Sequence, residues 1–254
     1  MSSSNVRTSA APFILPVLLL VMWAVVAAGR FVDPLFLPGP LAVAQGLYAG
    51  FVSGNLAIDA VVTTFRSLVG FALAALLGVP LGLLVGRMKP LSRGTQPTID
   101  FFRSVPATAL FPLFSFAFGI GDKAKIAIVI YACSLITLVN TAYGAMQVKE
   151  LRIQSARILG ASTWSVFWKV VLPESAPGIL AGLRIGMSLA FVLIVVTEMF
   201  IGTTVGLGYR IVTSQNAYNS PDVYAAIALT GVLGYCANWV ILRIEKRYLH
   251  WVGK

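Results

Sequence analysis

The chain has 254 residues, of which 58% are hydrophobic and only 11% charged, against roughly 45–50% apolar and about 25% charged in a soluble domain. That composition excludes a soluble globular domain and identifies an integral membrane protein. The net charge of +10 would suggest nucleic acid as a partner of a soluble protein, but the placement of the charges along the chain gives it a different meaning.

The first charge-free tract, Thr8 to Gly29, follows Arg7. It is longer than the apolar region of a secretory signal, and Gly29-Arg30-Phe31 is a poor cleavage site, so residues 10–29 are expected as a retained first span. An outer segment follows. Pro34, Pro38 and Pro40 enforce an extended path, and the residues after Pro40 suit a short interfacial helix with Leu41, Ala44, Leu47 and Tyr48 on one face, lying against the bundle.

Span two is expected over 64–87 and carries Gly78, Gly82 and Gly86 four residues apart. Small residues at that spacing line one helix face and let backbones approach closely, so this helix and the one bearing Gly178, Gly182 and Gly186 are expected at the centre. Span three is expected over 103–120, with Pro112 and, in span two, Pro80 as kink positions. Span four, 125–147, carries a polar stripe of Ser134, Thr137, Asn140, Thr141 and Gly144. Such a stripe lines a pathway or hydrogen-bonds to neighbouring helices, the commoner use.

Between spans four and five, residues 149–178 interrupt the pattern. Lys149 to Leu159 suits a helix, Gly160 a break, and Ser162 or Thr163 a cap; Trp164, Phe167, Trp168 and Val171 then recur at helical spacing, and Leu172-Pro173 ends the second helix. The prediction is a helix-break-helix hairpin held to the membrane or the bundle by its aromatic stripe. Span five, 180–201, contains Glu198, the one acid inside a span, about 21 Å of helix beyond Arg184. An intramembrane carboxylate is a functional candidate by default, but this depth also allows water or Arg210 to satisfy it. Span six is expected over 223–243. The sum is six transmembrane helices.

With the first end on the cytoplasmic side, 14 of the 19 basic residues fall on that side, as the positive-inside rule requires. Topology accounts for the charge, and no nucleic acid is needed. Asp33, Asp59, Asp122 and Asp222 fall in outer loops or helix starts. Cys133 and Cys236 lie mid-span, where free cysteine behaves as a small buried hydrophobe. The only histidine is His250, which excludes a Ser-His-Asp constellation or a His-rich metal site. No Gly-rich phosphate loop is present, so no ATP is bound by that route. No catalytic residue and no metal site are expected, and the absence of coupled ionisable groups weakens a proton-coupled secondary transporter.

Ala156, three residues, Gly160-Ala161, and then Val170, Leu172 and Pro173 resemble the loop of ABC-importer permeases written Glu-Ala-Ala, three residues, Gly, nine residues, Ile, any residue, Leu-Pro. Gln154 and Ser155 stand where Glu and Ala are usual. Residues 34–43 and 102–126 are similar to segments of the nitrate, sulfonate, taurine and bicarbonate permeases, with Ser104 and Ala117 as departures. The resemblance covers residues 31–254. It implies an all-α, polytopic, type I importer permease in one domain over residues 1–254, with a cytoplasmic coupling helix. In that family the loop docks in a cleft of an ATPase subunit, which gives Gln154, Ser155, Ala156, Gly160, Ala161, Trp164, Leu172 and Pro173 a coupling role. Thr137, Asn140, Thr141 and Glu198 are the expected pathway residues. The resemblance further implies a second permease copy, ABC ATPase subunits that carry the ATP and Mg, and a soluble substrate-binding protein. The location is a bacterial inner membrane with both ends cytoplasmic. The implied solute is a small anion, with a thiamin precursor or an aromatic carboxylate as alternatives. A secondary transporter and a non-transporting membrane assembly subunit are the rival functions.

Overall fold

A computed structural model describes residues 11–52 and 54–248, and His250 lies outside them, as does the start of the first tract. The described residues form eleven α-helices with one 3-10 turn and one π turn. Among them, four helices are long and apolar enough to cross a membrane, or five if one bent pair counts as a span. The first tract adds a shorter apolar stretch, Ile14–Ala28, within α1 (Ala11–Ala28). Six uniform spans are therefore not what the described residues contain.

Helices α3 (Leu56–Arg87), α6 (Asp122–Met146) and α9 (Leu172–Phe200) form the centre, with α6 packed between the other two. The glycines explain the arrangement. A Cβ on Gly82 would lie 2.5 Å from the Leu138 carbonyl oxygen, and one on Gly178 would lie 2.6 Å from the Gly144 Cα. Both glycine-bearing helices thus use their small residues to press onto α6, where packing rather than hydrophobicity selects neighbours. The central helix is the polar-striped one, flanked by the two that the glycines single out. Gly82→Ala is expected to destabilise the detergent-solubilised protein by about 1–3 kcal/mol, the usual cost of overpacking. Thermal unfolding checks this, and an unchanged midpoint would mean that the contact is not tight.

The third tract is not one helix. Helix α4 (Lys89–Ser104) ends at Val105, and a 3-10 turn (Ala107–Leu110) leads into α5 (Phe111–Phe118); the two halves are bent by 82°. Pro106 is the cause: its ring disfavours helical backbone in the residue before it, and Val105 is extended at φ −77, ψ 119. Pro112 produces no kink, because it stands in the first turn of α5, where its missing N–H costs nothing. Helix α3 runs through Pro80 without a break.

The interfacial helix exists as α2 (Pro40–Val52) and packs on α11 (Ser220–Tyr248). Its inward face differs from the expected one. Val43 and Gly50 are buried, whereas Leu41 and Tyr48 are each 72% exposed, because Gly46 must meet the Pro221 backbone closely and turns that side inward. Cys133 is buried and its Sγ lies 3.3 Å from the Gly186 carbonyl, whereas Cys236 is exposed on α11.

Candidate functional site

The segment between α6 and α9 folds as a hairpin with its own small core. Helix α7 (Glu150–Ile158) turns at Leu159 and Gly160 into α8 (Thr163–Val166). Gly160 adopts φ +82, its N–H bonds to the Arg157 carbonyl at 2.9 Å, and the Ala161 N–H reaches back to the Ala156 carbonyl at 3.0 Å. These two bonds are the Schellman helix stop, which needs a residue in the left-handed region and favours apolar contact between the positions that Ala156 and Ala161 occupy. Both alanines pack on the buried cluster of Val148, Ile153, Val166 and Val171. The spacing Ala, three residues, Gly-Ala therefore has a physical reason: it is one helix stop with its apolar clasp.

Ser162 caps the next helix, its Oγ accepting from the Ser165 N–H at 3.2 Å. Beyond α8 the chain does not end at Leu172-Pro173 as expected. A π turn (Phe167–Val171) carries it into α9, so that residues Thr163–Phe200 form one continuous helix. An α-helical turn would press the Pro173 ring against a carbonyl four residues back. The wider π turn gives that ring room, and Leu172 donates to the Phe167 carbonyl instead. The hairpin is thus a rigid extension of a membrane helix.

Two ion pairs tie it to the bundle. Arg152 Nη1 lies 2.6 Å from Glu174 Oε1 at the foot of α9, and Arg87 Nη2 lies 3.4 Å from Glu150 at the end of α3. Its outer surface carries Ile158, Leu159 and Trp164, exposed by 85%, 87% and 70%. Gln154 and Ser155, the two departures from the loop pattern, are also exposed, so they alter the surface and leave the hairpin's core intact. Trp164 and Trp168 point outward, and of the aromatic stripe only Phe167 and Val171 join the small core.

The other predicted residues lie elsewhere. Thr137 and Thr141 are fully buried against the glycines of α3 and α9, and neither hydroxyl has a hydrogen-bond partner among the described residues. Asn140 donates to the Ile136 carbonyl within its own helix at 2.9 Å. Glu198 is 2% exposed. It accepts from Arg66 Nη1 at 2.6 Å, from Thr63 Oγ1 at 2.8 Å and from the Gly208 N–H at 3.0 Å. Its cation is therefore Arg66, while Arg210 pairs with Asp59 at 3.3 Å and Asp222 at 2.8 Å.

Asp59, Asp122 and Asp222, separate groups at helix starts or in outer loops by sequence, come together with Arg66, Glu198 and Arg210 in a way that local spacing does not show. Arg66 also holds Asp122 at 2.7 Å, and Lys125 lies 3.5 Å from the same carboxylate. Asp59 accepts from the Gly206 N–H at 2.8 Å, and Thr63 from the Leu207 N–H at 2.9 Å. The opening of α10 (Leu207–Asn216) thus gives its unpaired backbone donors to acceptors of α3 and α9. Burial opposes the charge of Arg210, but hydrogen bonds and attraction from Asp222, then Asp59, outweigh it and raise its pKa above the ordinary guanidinium value. The available signal was the set of acids at three helix starts, Asp59, Asp122 and Asp222, each in reach of an arginine in another segment.

The sequence family described as "Binding-protein-dependent transport system inner membrane component" matches residues 78–250. A probable ABC transporter permease protein of Brucella melitensis biotype 1 is 33% identical over 215 residues, covering 85% of this chain and 87% of that protein. The taurine transport system permease protein TauC of Escherichia coli K12 is 32% identical over 242 residues, covering 93% of this chain and 87% of the relative. Among solved structures, a chain of the inward-facing MetNI methionine ABC transporter superposes with a TM-score of 0.60 at 19% identity, over 86% of this chain and 99% of the other. That last likeness concerns the fold alone.

Proposed function

The chain belongs to the inner membrane components of binding-protein-dependent transport systems and is a permease subunit of an ABC importer rather than an enzyme; on that premise we propose that residues 149–178 are its coupling device and that its cargo is a small anion of the sulfonate, nitrate, bicarbonate or taurine type. One observation carries the coupling role: the hairpin, built on the extension of α9, exposes Ile158, Leu159 and Trp164 outside the bundle while its own core stays closed. An exposed apolar tip on a rigid support is suited to a partner's cleft. ATP binding on the partner subunits draws the two hairpins of a permease homodimer together and shifts the bundle between its two facings. The excess of basic residues near the hairpin supports a cytoplasmic side for it and for both chain ends. The taurine permease relative supports the cargo class.

The test uses the permease coexpressed with its ATPase and binding protein. A cysteine at Leu159, with Cys236 replaced by serine, is expected to cross-link to the ATPase subunit. Thermal shift of the binding protein should then respond to taurine, alkanesulfonates, nitrate or bicarbonate. No cross-link from positions 158 to 164 would remove the coupling assignment. A response confined to thiamin precursors or aromatic carboxylates would replace the cargo class.

A further inference from the structure

The break between α4 and α5 opens onto a groove that neither the hairpin nor the Arg66–Glu198 cluster lines. Two neighbouring cavities lie along α6. One is bounded by Ser92, Gln96 and Ile99 of α4 against Val139, Ala142 and Tyr143 of α6. The other is bounded by Pro106 and Thr108 at the break against Tyr131, Leu135 and Ile136 of α6 and by Leu189 and Leu193 of α9. Arg103 lines both. From Tyr131 to Met146 the groove follows about 22 Å of helix at 1.5 Å per residue, much of the hydrocarbon thickness.

By its position in the sequence, at the start of the third tract, Arg103 counts among the basic residues of the cytoplasmic side. In the fold it stands beside the middle of α6, where an ionisable group is costly and marks an ion or substrate path by default. It is held loosely: Asp100, one turn back on the same helix, lies 3.7 Å from its Nη1 with no hydrogen bond between them. Asp100 and Arg103 are the charged groups facing the groove from any of its walls. The guanidinium is therefore open to a second anion. Non-helical backbone at membrane depth is tolerated where it is buried in protein or lines a cavity, and here the Phe102 carbonyl beside the break is already satisfied by the Tyr131 hydroxyl at 2.8 Å. The break thus leaves this carbonyl satisfied, with Arg103 carried beside it.

We propose that this groove is the solute's route along the subunit and that Arg103 is the residue that binds its anionic group, the planar fork of the guanidinium matching a sulfonate, nitrate or carboxylate. The proposal rests on the importer reading above and names the site within it. Thr137 and Thr141 face the glycine helices instead, so the route runs along a neighbouring face of the same helix from the one that its polar stripe marks.

The test is ATP-driven uptake of radiolabelled ethanesulfonate and nitrate into proteoliposomes holding the complete importer. Arg103→Gln is expected to lower uptake per ATP hydrolysed at least tenfold, Arg103→Lys to restore a third or more of it, and Ile136→Trp, which fills the groove without touching a charge, to lower uptake similarly. Arg103→Gln uptake within twofold of the original overturns the proposal. So does a parallel fall in uptake and ATP hydrolysis, which would place Arg103 in coupling. Normal uptake by an assembled Ile136→Trp importer removes the groove as the route. If the unaltered importer moves no anion at all, the cargo reading fails and this assignment falls with it.

Discussion

Replacing Gly160 by valine is expected to lower substrate-stimulated ATP hydrolysis and uptake by the assembled importer at least tenfold while leaving the permease inserted and folded. Gly160 sits at φ +82, where an L side chain is strained by roughly 1–2 kcal/mol, and a β-branched one more. A Cβ at this position would meet nothing within 4 Å, so the damage comes through the backbone: the two bonds of the helix stop are lost and the angle between α7 and α8 is released. A graded series separates this cause from a clash with the partner. Asparagine tolerates the left-handed region, so Gly160→Asn should retain more coupling than Gly160→Ala although its side chain is larger. The reverse order would mean that the ATPase surface, not the turn, rejects the side chain. Full activity of Gly160→Val would sink the coupling assignment.

Replacing Arg66 by methionine is expected to cost about 3–5 kcal/mol of stability, the range for removing one partner of a buried ion pair. Arg66 is 5% exposed and Glu198 is 2% exposed, so the carboxylate left behind keeps only Thr63 and the Gly208 N–H as partners. Replacing Glu198 by leucine in the same chain should recover part of the loss, because no uncompensated charge then remains. Thermal unfolding of the four proteins in detergent measures the coupling, which should reach about 0.5–3 kcal/mol for groups in one network. Additive losses would mean that Arg66 and Glu198 act independently. A large coupling would identify the cluster as the clamp that fixes α10 and the loop before it onto α3, α6 and α9.

The two clusters differ in how far the sequence announced them. The hairpin is local: helix former, glycine, cap and apolar spacing all occur within residues 149–171, so the turn and both helices were legible. Its outcome at Pro173 was not, because proline reads as a stop, and the π turn that accommodates it depends on the helix continuing into the membrane. The ion network joins Asp59, Thr63 and Arg66 to Glu198 and Arg210, over a hundred residues away, and nothing in local spacing encodes such a pairing. Glu198 stands out in the sequence as the one acid in a span, but proximity along the chain offers only water or Arg210 as its partner, whereas the fold supplies Arg66.

Composition and periodicity by themselves determined that this is a polytopic helical membrane protein without a catalytic constellation or phosphate loop. Hydrophobic length and local turn chemistry act within one segment and leave a direct trace in the residues. Which glycine face meets which helix, the break at Val105-Pro106, the inward face of α2, and the placement of Arg66 and Arg103 were decided only by the tertiary structure. Those outcomes depend on backbones approaching within a few ångströms and on buried charges finding partners, and both are properties of segments brought together from distant parts of the chain.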